Sequence, residues 1–133
     1  MKNIVEYTNK IKELIQSESE YLNILNVNSY ANKIINNADF AIEEDKGFIA
    51  YYANDFTSKK AYITMVIIDK KYRGKQIGKK LLNQLLNDLR SKGFLSCQLE
   101  VDKNNCVAYN LYSSFGFFKI SEDDKKIKME IIL

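Results

Sequence analysis

The passage from residue 65 to residue 89 narrows the possible folds most, because an apolar run, a cationic loop and a long amphipathic stretch follow one another there. Met65, Val66, Ile67 and Ile68 form an unbroken apolar run of the kind that suits a strand buried on both faces. After the loop from Asp69 to Gln76, the residues Ile77, Leu81, Leu82, Leu85, Leu86 and Leu89 recur on one broad face of a helix, and Gly93 is a natural stop for it. A buried strand feeding such a helix points to helices layered on a sheet.

The flanking segments extend this pattern. Ile4, Tyr7, Ile11, Leu14 and Ile15 have helical spacing and predict a first helix that ends near the polar stretch Ser17 to Glu20. A short second helix is expected from about Tyr30 to Ile35. Phe40 to Glu44 and Phe48 to Ala53 read as strands around a turn at Asp45, Lys46 and Gly47, with Gly47 assigned the positive φ that tight turns require. Further on come strands at Ala61 to Ile68, about Leu95 to Val101, Phe117 to Ile120 and Lys126 to Ile132, and a helix at about Asn105 to Phe115. The expected architecture is a single α/β domain over residues 1–133, with a central mixed, mostly antiparallel sheet flanked by about four helices. There is no proline and no repeat at which to divide the chain.

Composition removes several chemistries. The chain has no histidine, which excludes histidine-based triads, general bases and metal ligands. Its two cysteines, Cys97 and Cys106, lie nine apart and form no Cys-x-x-Cys pair, so no metal site is expected and both read as reduced thiols. No apolar stretch approaches the roughly 18 residues that a bilayer crossing needs. The N-terminal segment carries Glu6 in an amphipathic pattern and does not read as a signal peptide. A cytoplasmic protein without a membrane partner is expected, as a monomer or homodimer.

Local charge is more informative than the formal net charge of +3. From Lys70 to Lys80 there are six basic residues, Lys70, Lys71, Arg73, Lys75, Lys79 and Lys80, and no acid. Either they are a solvated helix end, or they surround an anion. Gly74 and Gly78 at a strand-to-helix junction favour the second reading, because free N–H groups and the positive end of the helix dipole converge there. The spacing fits neither a P-loop nor a dinucleotide fingerprint. A nucleic-acid module is disfavoured, since no aromatic stripe or reading helix accompanies the patch.

The stretch from Val66 through Tyr72, Arg73, Gly74, Lys75, Gln76, Ile77 and Gly78 to Leu82 resembles the acyl-CoA-binding motif of the GNAT superfamily of N-acyltransferases, Arg/Gln-x-x-Gly-x-Gly/Ala. Arg73 and Gly78 fit it, and Gln76 replaces its middle glycine. A second signature is similar as well: Leu99, Glu100 and Val101, then Asn105, Ala108, Leu111, Tyr112, Gly116 and Phe117. The resemblance spans about Ala61 to Ile120. It implies acetyl-CoA as co-substrate, with the N–H groups of residues 74 to 79, Gly74, Lys75, Gln76, Ile77, Gly78 and Lys79, on the pyrophosphate. It further implies that Val66, Ile67 and Ile68 pair with the pantetheine arm as an added strand would.

Acetyl transfer to an amine needs a base for the nucleophile and an acid or other stabiliser for the departing thiolate. In a chain without histidine, Glu100 acting through water and the Tyr112 phenol are the candidates. Each has a plainer reading: Glu100 as a surface residue alternating along its strand, Tyr112 as core, and Asn105 as a helix N-cap as well as a contact to pantetheine. The acceptor is a small-molecule or peptide amine. Tyr21, Tyr30, Tyr51, Tyr52, Glu43, Glu44 and Asp45 are possible residues of its wall. The alternative function is an acyl-CoA-binding sensor without turnover, for which Gln76 is the support.

Overall fold

A computed structural model describes residues 4–17 and 27–133; the side chains of 4–8, 17, 27, 28 and 30 lie outside that description. Four helices are described: α1 (Ile4–Ser17), α2 (Val27–Asn37), α3 (Ile77–Ser91) and α4 (Cys106–Phe115). Six strands accompany them: β1 (Asp39–Glu43), β2 (Gly47–Tyr52), β3 (Lys60–Ile68), β4 (Ser96–Asp102), β5 (Phe118–Glu122) and β6 (Lys126–Ile132). They form one sheet in the order β1-β2-β3-β4-β6-β5, in which β4 is parallel to β3 and antiparallel to β6. The mixed α/β class expected from the sequence is therefore observed.

Contacts divide the chain into two compact units, residues 1–50 with 65–85 and residues 51–64 with 86–133. In the first, Ile11, Leu14 and Ile15 of α1 and Ala31 and Ile34 of α2 pack with Ile42, Phe48, Ala50, Met65 and Ile67 of the strands. These positions are the helical and alternating apolar sets of the sequence, and each buried Leu, Ile or Phe contributes about 1.5–3 kcal/mol. α2 is longer than its apolar spacing predicts, because polar residues such as Asn36 and Asn37 extend it. Asn37 donates through Nδ2 to the Lys33 carbonyl at 2.7 Å.

In the second unit, β4 pairs with β6 along its full length, from Ser96 opposite Ile132 to Asp102 opposite Lys126. Cys97, Leu99, Val101, Met129 and Ile131 are buried, whereas Glu100 is exposed opposite Lys128. The Cys97 thiol is pushed up to about 12 by burial, while Cys106 is exposed. The parallel ladder of β3 with β4 covers only Lys60–Tyr62 against Ser96–Gln98, although β3 runs on to Ile68 and β4 to Asp102. No helix among the described residues is long and apolar enough to cross a membrane.

The β1–β2 turn corrects one expectation. Positive φ falls on Asp45, at 61°, and not on Gly47. Gly47 is required for a different reason: a Cβ there would lie 2.5 Å from the Ile67 carbonyl oxygen and 3.0 Å from the Ile68 Cα. Both are backbone atoms, which cannot rotate aside. We expect Gly47→Ala to lower unfolding free energy by about 1–3 kcal/mol, the usual range for overpacking, as read by urea denaturation; an unchanged midpoint would mean that β2 and β3 separate at no cost.

Candidate functional site

The basic loop begins where β3 ends, and Asp69 organises the junction. Its carboxylate accepts from the Lys71 N–H at 3.1 Å, capping the single 3₁₀ turn Lys70–Tyr72, and its other oxygen accepts from Lys10 Nζ of α1 at 3.1 Å. Its own N–H donates to the Lys46 carbonyl at 2.7 Å, and its carbonyl accepts from the Tyr72 N–H at 2.9 Å. The hydrogen bond from Lys71, then the one from Lys10, holds this carboxyl below the usual carboxylate range. The Arg73 guanidinium turns back to donate through Nε to the Ile68 carbonyl at 3.0 Å, which closes the start of the loop against the strand it left.

Beyond Arg73 the backbone alternates. Gly74 and Gln76 have φ of 78° and 65°, with Lys75 between them outside that region. Such alternation turns successive N–H groups toward one concavity. Gln76 then stands directly before α3, and its carbonyl takes the first helical bond, from the Lys80 N–H at 3.2 Å. The geometry of a helix start leaves the N–H groups of Gln76, Ile77, Gly78 and Lys79 without intrahelical acceptors. They coincide with the dipole's positive end, so an anion fits there.

The surrounding cations have distinct roles. Lys80 pairs with Glu43 at 3.1 Å, and Lys46 lies 3.9 Å from the same carboxylate. The half-buried Tyr72 ring has the Lys46 and Lys75 ammonium groups at 5.7 and 5.8 Å from its centroid, contacts worth about 0.5–1 kcal/mol each where exposed. Lys70 and Lys79 are exposed and form no ion pair among the described residues. Val66, Ile67 and Ile68 occupy the end of β3, with Ile67 buried and the other two half-buried.

The second motif lies in the second unit. Asn105 is the N-cap of α4, its Oδ1 accepting from the Ala108 N–H at 3.1 Å. At the other end Gly116 takes a φ of 105°, which a side chain would resist. The Phe117 N–H bonds to the Tyr112 carbonyl and the Gly116 N–H to that of Ser113, both at 3.1 Å. This is the six-to-one helix ending that brings the residue after glycine onto the helix residue five before it. Accordingly the Phe117 ring meets the Tyr112 ring edge-on, with centroids 5.8 Å apart, and both are buried. Tyr112 is thereby fixed in orientation. Glu100 lies on the exposed face of β4 and Cys106 opens α4.

The residues proposed for an acceptor wall separate. Tyr21 and the Tyr30 side chain lie outside the described residues. Tyr51 is buried and its hydroxyl donates to Asp88 at 2.8 Å. Glu43 is compensated by two lysines, Glu44 and Asp45 are exposed in the turn, and Tyr52 is half-buried. Sequence reading passed over the Asp69 hub and its partner Lys10. An Asp at the end of a strand before a turn is a capping signal, but nothing in the order of residues points to Lys10. No group of three or more Cys, Asp and Glu residues suited to a metal occurs among the described residues.

Comparison with known proteins agrees with the family resemblance. Residues 11–117 match the family model described as the Acetyltransferase (GNAT) family. A spermidine N(1)-acetyltransferase of Thermoplasma acidophilum is 27% identical over 114 residues, covering 86% of this chain and 62% of that protein. A [ribosomal protein bS18]-alanine N-acetyltransferase of Haemophilus ducreyi is 31% identical over 78 residues, covering 59% of this chain and 54% of that protein. The chain thus aligns with between about half and three fifths of these relatives' length. The crystal structure of the PaiA N-acetyltransferase of Thermoplasma acidophilum, in complex with coenzyme A, superposes with a TM-score of 0.74 at 22% identity, covering 97% of this chain and 94% of that one. With a family model spanning most of its length and a shared fold, the chain belongs to the GNAT family of acetyltransferases.

Proposed function

We propose that residues 1–133 act as one N-acetyltransferase domain, which transfers an acetyl group from acetyl-CoA to a primary amine by direct attack with both substrates bound. The observation that carries this reading is the loop between β3 and α3: two residues at positive φ, a helix start with unsatisfied N–H groups, and cations around them. This arrangement suits a pyrophosphate, with the N–H groups of residues 74 to 79 as donors. The side of β3 from Val66 to Ile68, beyond its short ladder with β4, offers backbone to an extended amide-bearing arm.

Acetyl-CoA supplies the activated thioester; the residues of the chain manage protons. Glu100, exposed to water on β4, accepts the amine's proton through a water molecule. Tyr112, held by the ending of α4, donates its phenolic proton to the departing sulfur. Asn105 lends its amide to the pantetheine arm while capping α4. Relatives named for spermidine and for a ribosomal alanine both act at primary amines, which supports that acceptor class. A sensor without turnover drew its support from Gln76, yet Gln76 adopts the left-handed conformation that a glycine would take there.

The test is calorimetry with acetyl-CoA, followed by thiol release against a panel of amines. Binding followed by amine-dependent release is expected; a folded protein that shows neither heat nor a melting shift at millimolar CoA would sink the proposal. Gly78→Glu sets a carboxylate at the helix start and should weaken CoA binding strongly, so an unchanged dissociation constant would move the phosphate site elsewhere. Gln76→Gly relieves a left-handed non-glycine residue, a strain of roughly 1–2 kcal/mol, against the added backbone freedom of glycine. We expect a gain of up to about 1 kcal/mol in thermal or chemical unfolding with CoA binding retained, and a loss of stability would show that the Gln76 side chain stabilises the turn. Tyr112→Phe keeps the ring against Phe117 and removes the phenolic proton, so kcat should fall by about 10²- to 10⁴-fold with little change in CoA affinity; full turnover would return Tyr112 to a packing role.

A further inference from the structure

Between Lys59 and Asn87 the only acidic residue is Asp69, and it stands at the foot of a loop built to attract anions. A bare carboxylate there would repel the phosphates that the loop is proposed to hold. Its geometric contribution is nevertheless large: the carboxylate caps the 3₁₀ turn by accepting from the Lys71 N–H, while the backbone N–H of the same residue holds the loop to the β1–β2 turn by donating to the Lys46 carbonyl. An asparagine could make the same cap with one oxygen. What asparagine could not do is hold the ammonium of Lys10, fifty-nine residues away in sequence on α1, at 3.1 Å from the second oxygen.

The pair is shielded from solvent to a useful degree, with side-chain exposures of 26% for Lys10 and 19% for Asp69. Charges in such a setting are screened less than fully solvated ones. Lys10 faces Asp69 from α1 and Lys71 from its own loop, while Lys46, whose carbonyl accepts from the Asp69 N–H, has its ammonium over the Tyr72 ring. Three of the other cations are committed differently, Arg73 to the Ile68 carbonyl, Lys80 to Glu43 and Lys75 to the Tyr72 ring, while Lys70 and Lys79 are exposed. Among the described residues, Lys10 is therefore the one outside the loop that pairs with its one acid.

We propose that Lys10 is a positioning residue for the acyl-CoA phosphates: by pairing with Asp69 it ties α1 to the base of the phosphate loop and cancels the charge of the acid that caps it. The inference rests on the reading of this loop as the CoA site and adds a residue to it from outside both sequence motifs. It makes the position of α1 and occupation of the loop energetically linked, since whatever displaces α1 uncovers a negative charge beside the phosphates.

The experiment measures the CoA dissociation constant and the melting temperature of the ligand-free protein for the wild type, Lys10→Met, Asp69→Asn, the double variant and Lys10→Arg. Lys10→Met should weaken CoA binding by about three- to tenfold, the size expected of one uncompensated charge at the site's margin. Adding Asp69→Asn should restore affinity to within about twofold of the wild type, because the asparagine keeps the cap and removes the charge that Lys10 answered. Lys10→Arg should retain most of the affinity. If the methionine variant does not fold, Lys10→Gln is read in its place. Wild-type affinity in Lys10→Met, or a double variant no better than Lys10→Met, would overturn the inference; the second result would mean that Lys10 acts only as a further cation. A loss of melting temperature without loss of affinity would overturn it too, leaving the pair a plain structural link. Failure of the wild type itself to bind CoA is a separate outcome, which removes the function proposed above and this inference with it.

Discussion

A helix start that is to receive a ligand must keep its N–H groups unspent, so the chain leading into it has to be held by something other than an ordinary cap. Most of the local structure between β3 and α3 follows from this requirement. Gln76 stands where Ser, Thr, Asp or Asn would normally spend an oxygen on those N–H groups. The burden of holding the loop passes back to Asp69 and Arg73, which anchor it to the β1–β2 turn, to α1 and to the last carbonyl of β3. Restraint is placed upstream of the proposed anion site, where it would not compete with an anion.

The second motif shows a similar economy in a different form. The spacing of Tyr112, Gly116 and Phe117 serves as a folding instruction as well as a functional signature. Glycine supplies the left-handed turn after α4, that turn aims the next N–H at the Tyr112 carbonyl, and the same geometry lays Phe117 against the Tyr112 ring. One short pattern therefore ends a helix and fixes the orientation of its candidate proton donor. Plain packing and catalysis are compatible readings of Tyr112, since a donor must be held still to be useful.

Much of the fold was legible in the sequence because apolar periodicity reports burial directly. The leucines of α3 and the alternation along β4 fall where their spacing places them, and Leu81, Leu82, Leu85, Leu86 and Leu89 are all buried. Glycines and their substitutes were read less well. The sequence suggests a conformational role for Gly47, whereas it answers a close approach from β3 that only the paired strands reveal. Gln76 departs from the glycine of the motif, yet a non-glycine residue can hold positive φ when the bonds on either side of it over-determine the turn. The Lys10–Asp69 and Lys80–Glu43 pairs were not legible at all, because the order of residues carries no sign of which charges will meet across tens of positions. The same holds for the burial of Tyr51 on Asp88, which an aromatic on a strand next to a polar loop does not announce.

The contrast between the two cysteines has a practical side. Cys97 is buried on β4, where burial pushes its thiol up to about 12, while Cys106 is exposed as the first residue of α4, six positions before Tyr112. Since the thiolate is the reacting species, an alkylating dye added to the folded protein meets a single competent sulfur. That gives a one-to-one fluorescent handle on the helix carrying the candidate acid, without engineering. It also sets a fixed background of one equivalent in any colorimetric assay that counts free thiols.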